Sequence, residues 1–267
     1  MSTPQIAPPI FPGRIVQAGE QDKATVRAIQ TRLNEVGCGP LDVNGNFGKA
    51  TTGAVKLFQA RFTDADGVPL KVDGQVGSLT WEALFGRQSV VSVTEAPSAL
   101  LGRALEIAIS QIGVMEEPPG SNRGPQVDRY VRSVGLNPSG KFAWCAAFTY
   151  FCFDEASKEI NRANPVIKTG GVMAHWNQAG TRGVPRITKD RAVNNPSLVQ
   201  PGHLFIISIG SKGLGHTGIV ERVDGGKLIT IEGNTNDGGS REGVGVFRRA
   251  ARKIADINRG YIDYSSM

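Results

Sequence analysis

Three cysteines, three histidines and no long apolar run set the first limits on this 267-residue sequence. Cys38, Cys145 and Cys152 are too few, and odd in number, for a disulfide scaffold, and they form no cluster with His175, His203 and His216 at structural-zinc spacing. No stretch reaches the roughly 18 uninterrupted apolar residues of a membrane span, so no membrane insertion is expected. Residues 1–13 lack a basic segment, and prolines break their short apolar run, so they do not read as a signal peptide. The expectation is a soluble chain made in the cytoplasm, which needs another export route for any work outside. The 34 glycines follow no Gly-X-Y period, which points to turns rather than collagen. Thiol or imidazole chemistry here has few candidates.

What is present suffices for a packed core: 40% of the residues are hydrophobic, which excludes a disordered chain. The length allows one or two domains of about 100–200 residues each. Residues 1–86 hold eight Lys/Arg and eight Asp/Glu, so the whole net charge of +6 falls on residues 87–267. The stretch 87–98 is polar and has no helical period, and reads as a linker between domains at 20–86 and 99–267. Within the first, the segment Leu41 to Val55 recurs 29 residues later as Leu70 to Leu84, with six of fifteen positions identical. Asn44-Gly45 and Asp73-Gly74 are turn dipeptides. Thr51 and Thr80 follow near helix starts, where capping hydroxyls belong. Val26, Ile29, Leu33 and Val36 form a helical stripe ahead of the first copy. Two copies are too few for a solenoid, so a small three-helix domain is expected.

Gln30-x-x-Leu33, Val43-Asn44-Gly45-x-Phe47-Gly48-x-x-Thr51, Phe58-Gln59 and Val72-Asp73-Gly74-x-Val76-Gly77-x-x-Thr80-Trp81 resemble the helical peptidoglycan-binding domain of cell-wall hydrolases. The resemblance implies bacterial peptidoglycan as partner, with Trp81 a candidate substrate-binding residue.

The second part opens with a helix whose face carries Leu100, Leu101, Ala104, Leu105, Ala108, Ile109 and Ile112, ended by Gly113. A loop through Glu116, Asn122 and Arg123 leads to a short helix with Val127, Tyr130 and Val131, and Trp144-Cys145 begins another. Residues 204–209, 217–223, 227–232 and 244–248 read as β-branched strands between Gly-rich turns, with Asp224-Gly225-Gly226 as a hairpin turn. Helices followed by an antiparallel sheet make an α+β domain.

Cys145 lies just inside a helix N-terminus, where unpaired backbone N–H groups and the dipole favour a thiolate and can hold an oxyanion. Cys152, seven residues on and about 10.5 Å along the helix, is beyond the roughly 7 Å Cα separation of a disulfide. Its Phe151 and Phe153 neighbours mark it as core. Cys38 has no catalytic context. His216 opens a strand and suits a general base; Glu232 or Asn234, on the next strand, could fix its tautomer. His203 is the rival base, read more readily as a solvent-facing turn residue. His175 reads as structural or cleft-lining, and Asn122, Arg123 and Trp144 as candidate substrate contacts.

Trp144-Cys145-Ala146-Ala147-Phe148, Pro201-Gly202, Gly215-His216-x-Gly218-Ile219-Val220 and Glu232-Gly233-Asn234 resemble the CHAP family of cysteine- and histidine-dependent amidohydrolases/peptidases, which have a papain-like α+β fold. By that resemblance Cys145 is the nucleophile, His216 the base, Glu232 its orienting partner and Asn234 a supporting polar group. Trp144 stands where some relatives have Gln, which leaves the side-chain half of the oxyanion hole unassigned. His203 stands where many have Asp. Some relatives bind calcium just before the Cys; residues 139–143 contain no carboxylate, so neither metal nor cofactor is expected.

Glu116-Glu117 invites a muramidase reading, but adjacent glutamates near a helix end are usually solvated. The stretch Arg241 to Arg259 has six basic and two acidic residues. It lacks interleaved aromatics, so no nucleic acid is expected, and attraction to wall carboxylates fits better. The whole reads as a monomeric two-module peptidoglycan hydrolase that cuts an N-acetylmuramoyl–L-alanine amide or a stem-peptide bond, most like a phage endolysin released through a holin. The alternatives are a wall-degrading effector of a contractile secretion apparatus and a non-catalytic wall-binding or virion protein.

Overall fold

A computed structural model describes residues 8–90, 92–211, 213–235 and 243–267. Arg241 and its acidic neighbour at 242 lie outside these residues. The chain divides into two compact units, one mainly before Val93 and one mainly after it.

The first unit contains α1 (Lys23–Glu35), α2 (Lys49–Arg61) and α3 (Ser78–Phe85). Asp22 starts α1 by accepting from the Ala24 and Thr25 amides. The expected stripe packs inward through Val26, Ile29 and Leu33, onto Val55, Phe58 and Leu84. Trp81 is a core residue: its ring lies between Phe11 and Phe85, and its N–H donates to the Pro9 carbonyl at 3.1 Å.

The repeat has a polar reason. Gln30 Oε1 accepts from the Gly45 amide at 2.9 Å while its Nε2 reaches the Asn46 carbonyl and Thr51 Oγ1 at 3.0 and 3.1 Å. One repeat later, Gln59 Oε1 accepts from the Asp73 and Gly74 amides at 3.0 and 2.8 Å. Its Nε2 reaches the Gln75 carbonyl and Thr80 Oγ1 at 2.8 and 3.3 Å. The helices are capped instead by Gly48 and Gly77, without a side-chain bond. Thr51 and Thr80 therefore do not cap, as their position suggested; they sit one turn inside and serve the glutamines.

The second unit begins with α4 (Ala99–Ser110) and α5 (Pro125–Ser133), which both pack on α6 (Cys145–Glu159). Tyr130 binds this group together, with Trp144, Phe148 and Phe151 ring centroids at 5.5, 5.5 and 5.0 Å. Then come α7 (Val172–Thr181) and the short α8 (Lys189–Asn194), and most of the sheet follows them. A two-residue strand, β1 (Ser92–Val93), precedes the unit's helices. The main strands are β2 (Arg186–Thr188), β3 (Leu204–Ile209), β4 (Leu214–Asp224), β5 (Lys227–Thr235), β6 (Gly245–Lys253) and β7 (Gly260–Ile262). They run in the order β2-β7-β3-β4-β5-β6. The expected α+β class with an antiparallel sheet is the observed one. Strands β2 and β7 were not expected, because three residues are too few to show an alternation.

Two bulges shape the far edge. On β6 three steps, Arg249 to Arg252, face two on β5, Leu228 to Thr230. On β5 the steps from Glu232 to Thr235 face two on β6, and there Asn234 takes a left-handed φ of 53°, which Asn tolerates better than most residues.

Replacing Gln59 by Ala leaves two turn amides without their acceptor. At about 1–3 kcal/mol for each buried unsatisfied group, the first unit is expected to lose about 3 kcal/mol. Urea unfolding followed through Trp81, in a chain whose other two tryptophans are changed to Phe, measures it.

Candidate active site

Cys145 is the first residue of α6, and Trp144, at the N-cap, makes no side-chain cap bond. The first-turn amides lack intrahelical acceptors by geometry, so Cys145 stands among uncapped backbone donors. Cys145 is 4% exposed. The helix start is seated by the strand beside it: a Cβ on Gly233 would lie 2.7 Å from ring atoms of both Phe148 and Trp144. Only glycine lets β5 come this close, between Glu232 and Asn234.

His216 and Glu232 occupy neighbouring strands, and His216 Nε2 lies 2.7 Å from Glu232 Oε2. A Cβ on Gly218 would meet Glu232 Cγ at 2.9 Å, so this glycine makes room for the carboxylate. The other imidazole nitrogen, Nδ1, is buried with no hydrogen bond of ordinary geometry. Burial opposes the imidazolium, but the adjacent Cys145 thiol and the Glu232 carboxylate outweigh it and raise the His216 pKa to about 9. Phe205 supports the ring at a centroid distance of 5.8 Å.

Glu232 is fully buried, and burial alone would push its pKa up. Hydrogen bonds and charge from Arg252 and His216 reverse this and hold it near 2. Arg252 Nε donates to Oε1 at 2.5 Å and Nη2 to Oε2 at 2.7 Å. Thr230 Oγ1 also donates to Oε1, at 2.6 Å. Asn234 is buried two residues beyond Glu232.

Sequence alone does not single out Arg252, which stands within the basic stretch from Arg241 to Arg259. That stretch is not one solvated face. Arg248 forms a two-bond pair with Glu221 at 2.8 and 3.0 Å, and Arg252 turns inward to Glu232. Glu116 also departs from expectation. It is buried rather than solvated, and accepts from Trp144 Nε1 at 2.9 Å and from the Asn122 amide at 3.0 Å. The loop before α5 is thereby tied to the residue that precedes Cys145. Burial of Trp144, with its only polar atom given to Glu116, makes it a support for the helix start.

The other candidates fall elsewhere. Arg123 is bidentate to Asp128, at 2.8 and 3.0 Å. His175 is buried against the Tyr264 hydroxyl at 2.8 Å, and burial lowers its pKa to about 4. His203 does not face solvent as expected: it is buried, with Nε2 3.3 Å from Asp263 Oδ1. The Pro201-Gly202 turn is held by the Gly202 amide on the Val220 carbonyl, and this carries His203 inward. Cys38 and Cys152 are buried free thiols; burial pushes Cys152 well above the usual thiol range. Among the described residues no three His, Cys, Asp or Glu gather as a metal site.

His216 and His175 should separate by NMR titration, with His216 protonated up to about pH 9 and His175 neutral down to about pH 4. A raised folded-state value stabilises fully below the ordinary 6.5 and is lost as pH rises through about 9. Thermal stability should therefore fall over that alkaline window, and less so in His216→Gln.

Comparison with curated proteins and with solved structures returned no match. Two family models do match. A peptidoglycan binding domain covers residues 22–84, where the paired glutamine turns lie, and a CHAP domain covers residues 137–234, from the approach to Cys145 through Asn234. The chain thus joins a peptidoglycan-binding domain to a CHAP domain, the organisation of a modular peptidoglycan hydrolase.

Proposed function

We propose that the CHAP domain cuts an amide of peptidoglycan by cysteine catalysis, with Cys145 as nucleophile, His216 as its acid–base partner and Glu232 as the group that orients His216. The observation that carries this is the buried contact chain in which His216 bonds Glu232 through Nε2 and has the Cys145 thiol as its other polar neighbour. In this reading the reactive form of the pair is thiolate and imidazolium. The thiolate attacks the amide carbonyl, and first-turn amides of α6 receive the developing oxyanion. His216 gives its proton to the leaving amine as the carbon–nitrogen bond breaks. It then takes a proton from water, which attacks the thioester; the tetrahedral species collapses to release the acid and the Cys145 thiolate, restoring the starting pair. Asn234 is a further polar group beside this relay.

The bond is either the N-acetylmuramoyl–L-alanine amide or one within the stem peptides or their cross-links. The first unit would hold the wall while the second cuts. A groove beside α2 offers Lys49, Thr52 and Lys56, which suit stem-peptide carboxylates. We place the activity in a phage-type lysin, supported by the union of wall-holding and cutting domains in one chain.

Purified peptidoglycan should lose turbidity with the wild type and not with Cys145→Ala, a loss of more than about a thousandfold. Cys38→Ala and Cys152→Ala should keep most activity. Equal clearing by Cys145→Ala would refute the cysteine mechanism, and no clearing by any form would favour a binding protein. Mass spectrometry of the digest separates the bonds: a new amino-terminal alanine marks the amidase, a new internal amine the endopeptidase. Because the acid form of His216 serves the leaving group, kcat/KM should fall as pH rises through about 9.

A further inference from the structure

The β6 bulge decides where Arg252 points. Residues directly opposite in an antiparallel pair share a face of the sheet, and residues two apart on one strand do too. Leu228 and Thr230 on β5 face Arg252 and Arg249 on β6. These arginines are three apart in sequence, which in a regular strand would put them on opposite faces. The extra residue turns Arg252 to the Glu232 side.

There it is built in rather than merely near. Its side chain is 15% exposed, its guanidinium lies 5.1 Å from the Phe205 centroid, and two of its N–H groups meet the two oxygens of Glu232. Phe205 also supports the His216 ring. With Thr230 on Oε1 and His216 on Oε2, each carboxylate oxygen accepts two bonds. The carboxylate plane is then fixed, and with it the direction in which His216 is held. Asp256 is the other acidic group that acts on Arg252; it lies three residues after Lys253, whose amide it accepts.

From this we infer that Arg252 is a positioning residue of the catalytic relay: its two-point grip on Glu232 aims His216 at Cys145. The inference rests on Cys145, His216 and Glu232 being the reacting set. A guanidinium is required because its planar fork matches both carboxylate oxygens, whereas an ammonium is a single point of charge. Arg252 itself touches neither thiol nor imidazole in this arrangement and acts only through the carboxylate.

The test uses the full chain as wild type, Arg252→Gln and Arg252→Lys, with two readouts. The first is hydrolysis of purified peptidoglycan. The second is alkylation of each cysteine by iodoacetamide at pH 7, quantified by peptide mass spectrometry. Arg252→Gln should lower kcat by at least about thirtyfold with KM within threefold. It should slow Cys145 alkylation by at least about tenfold while the buried Cys152 stays unlabelled. Arg252→Lys should fall between Gln and wild type in both. A loss of folding alone gives the opposite signature, since an opened core labels Cys152 and speeds Cys145. If Arg252→Gln does unfold, Arg252→Lys decides: slowed Cys145 alkylation supports the grip and a wild-type rate overturns it. Folded Arg252→Gln within threefold of wild type in both readouts also overturns it. If no form cleaves peptidoglycan yet Cys145 alkylation slows as stated, the relay stands and the wall-hydrolase reading falls.

Discussion

A carboxylate without solvent is costly to keep charged, and Glu232 is kept charged by four donors that leave neither oxygen wanting. Most of the second unit's sheet can be understood from that requirement. Strand β4 must bring His216 alongside, β5 must carry Glu232 and Thr230 on one face, and β6 must deliver an arginine to it. Gly218 supplies the space and Phe205 the surface on which both cations rest. Each is a small local choice, and together they hold a charge cluster that a loosely packed sheet could not.

Cys145 is placed by a different set of contacts. The aromatic group around Tyr130 fixes α6, Gly233 lets β5 touch the helix's first turn, and Glu116 pins Trp144 from the other side. Cys145 is thus anchored through its neighbours rather than by a cap of its own. This leaves the first-turn amides without a side-chain cap.

Much of this was legible because the residues concerned are marked by local chemistry. A cysteine at a helix start, a histidine between glycine and threonine, and Glu-Gly-Asn at a strand's end stand out in one dimension. The helical stripe of α1 and the 29-residue repeat did too. What escaped depends on register or on partners far along the chain. Arg252 looks like any base in a basic run until the β6 bulge turns it. Glu116 looks solvated until Trp144 covers it from 28 residues away. Thr51 and Thr80 sit where caps belong, and only Gln30 and Gln59, themselves 29 residues apart, show what the hydroxyls serve.

The bulge in β6 also bears on how such a protein decays or diversifies. It makes the proposed relay depend on how β6 pairs with β5 and not only on residue identity. If β6 paired regularly without its bulge, Arg252 would fall opposite Lys227 and its guanidinium would lie on the opposite face, while Cys145, His216, Glu232 and Asn234 all stayed in place. A lineage could fall silent in this way with every recognisable motif intact. Among homologues, the pairing of this strand is therefore as informative as the motif itself.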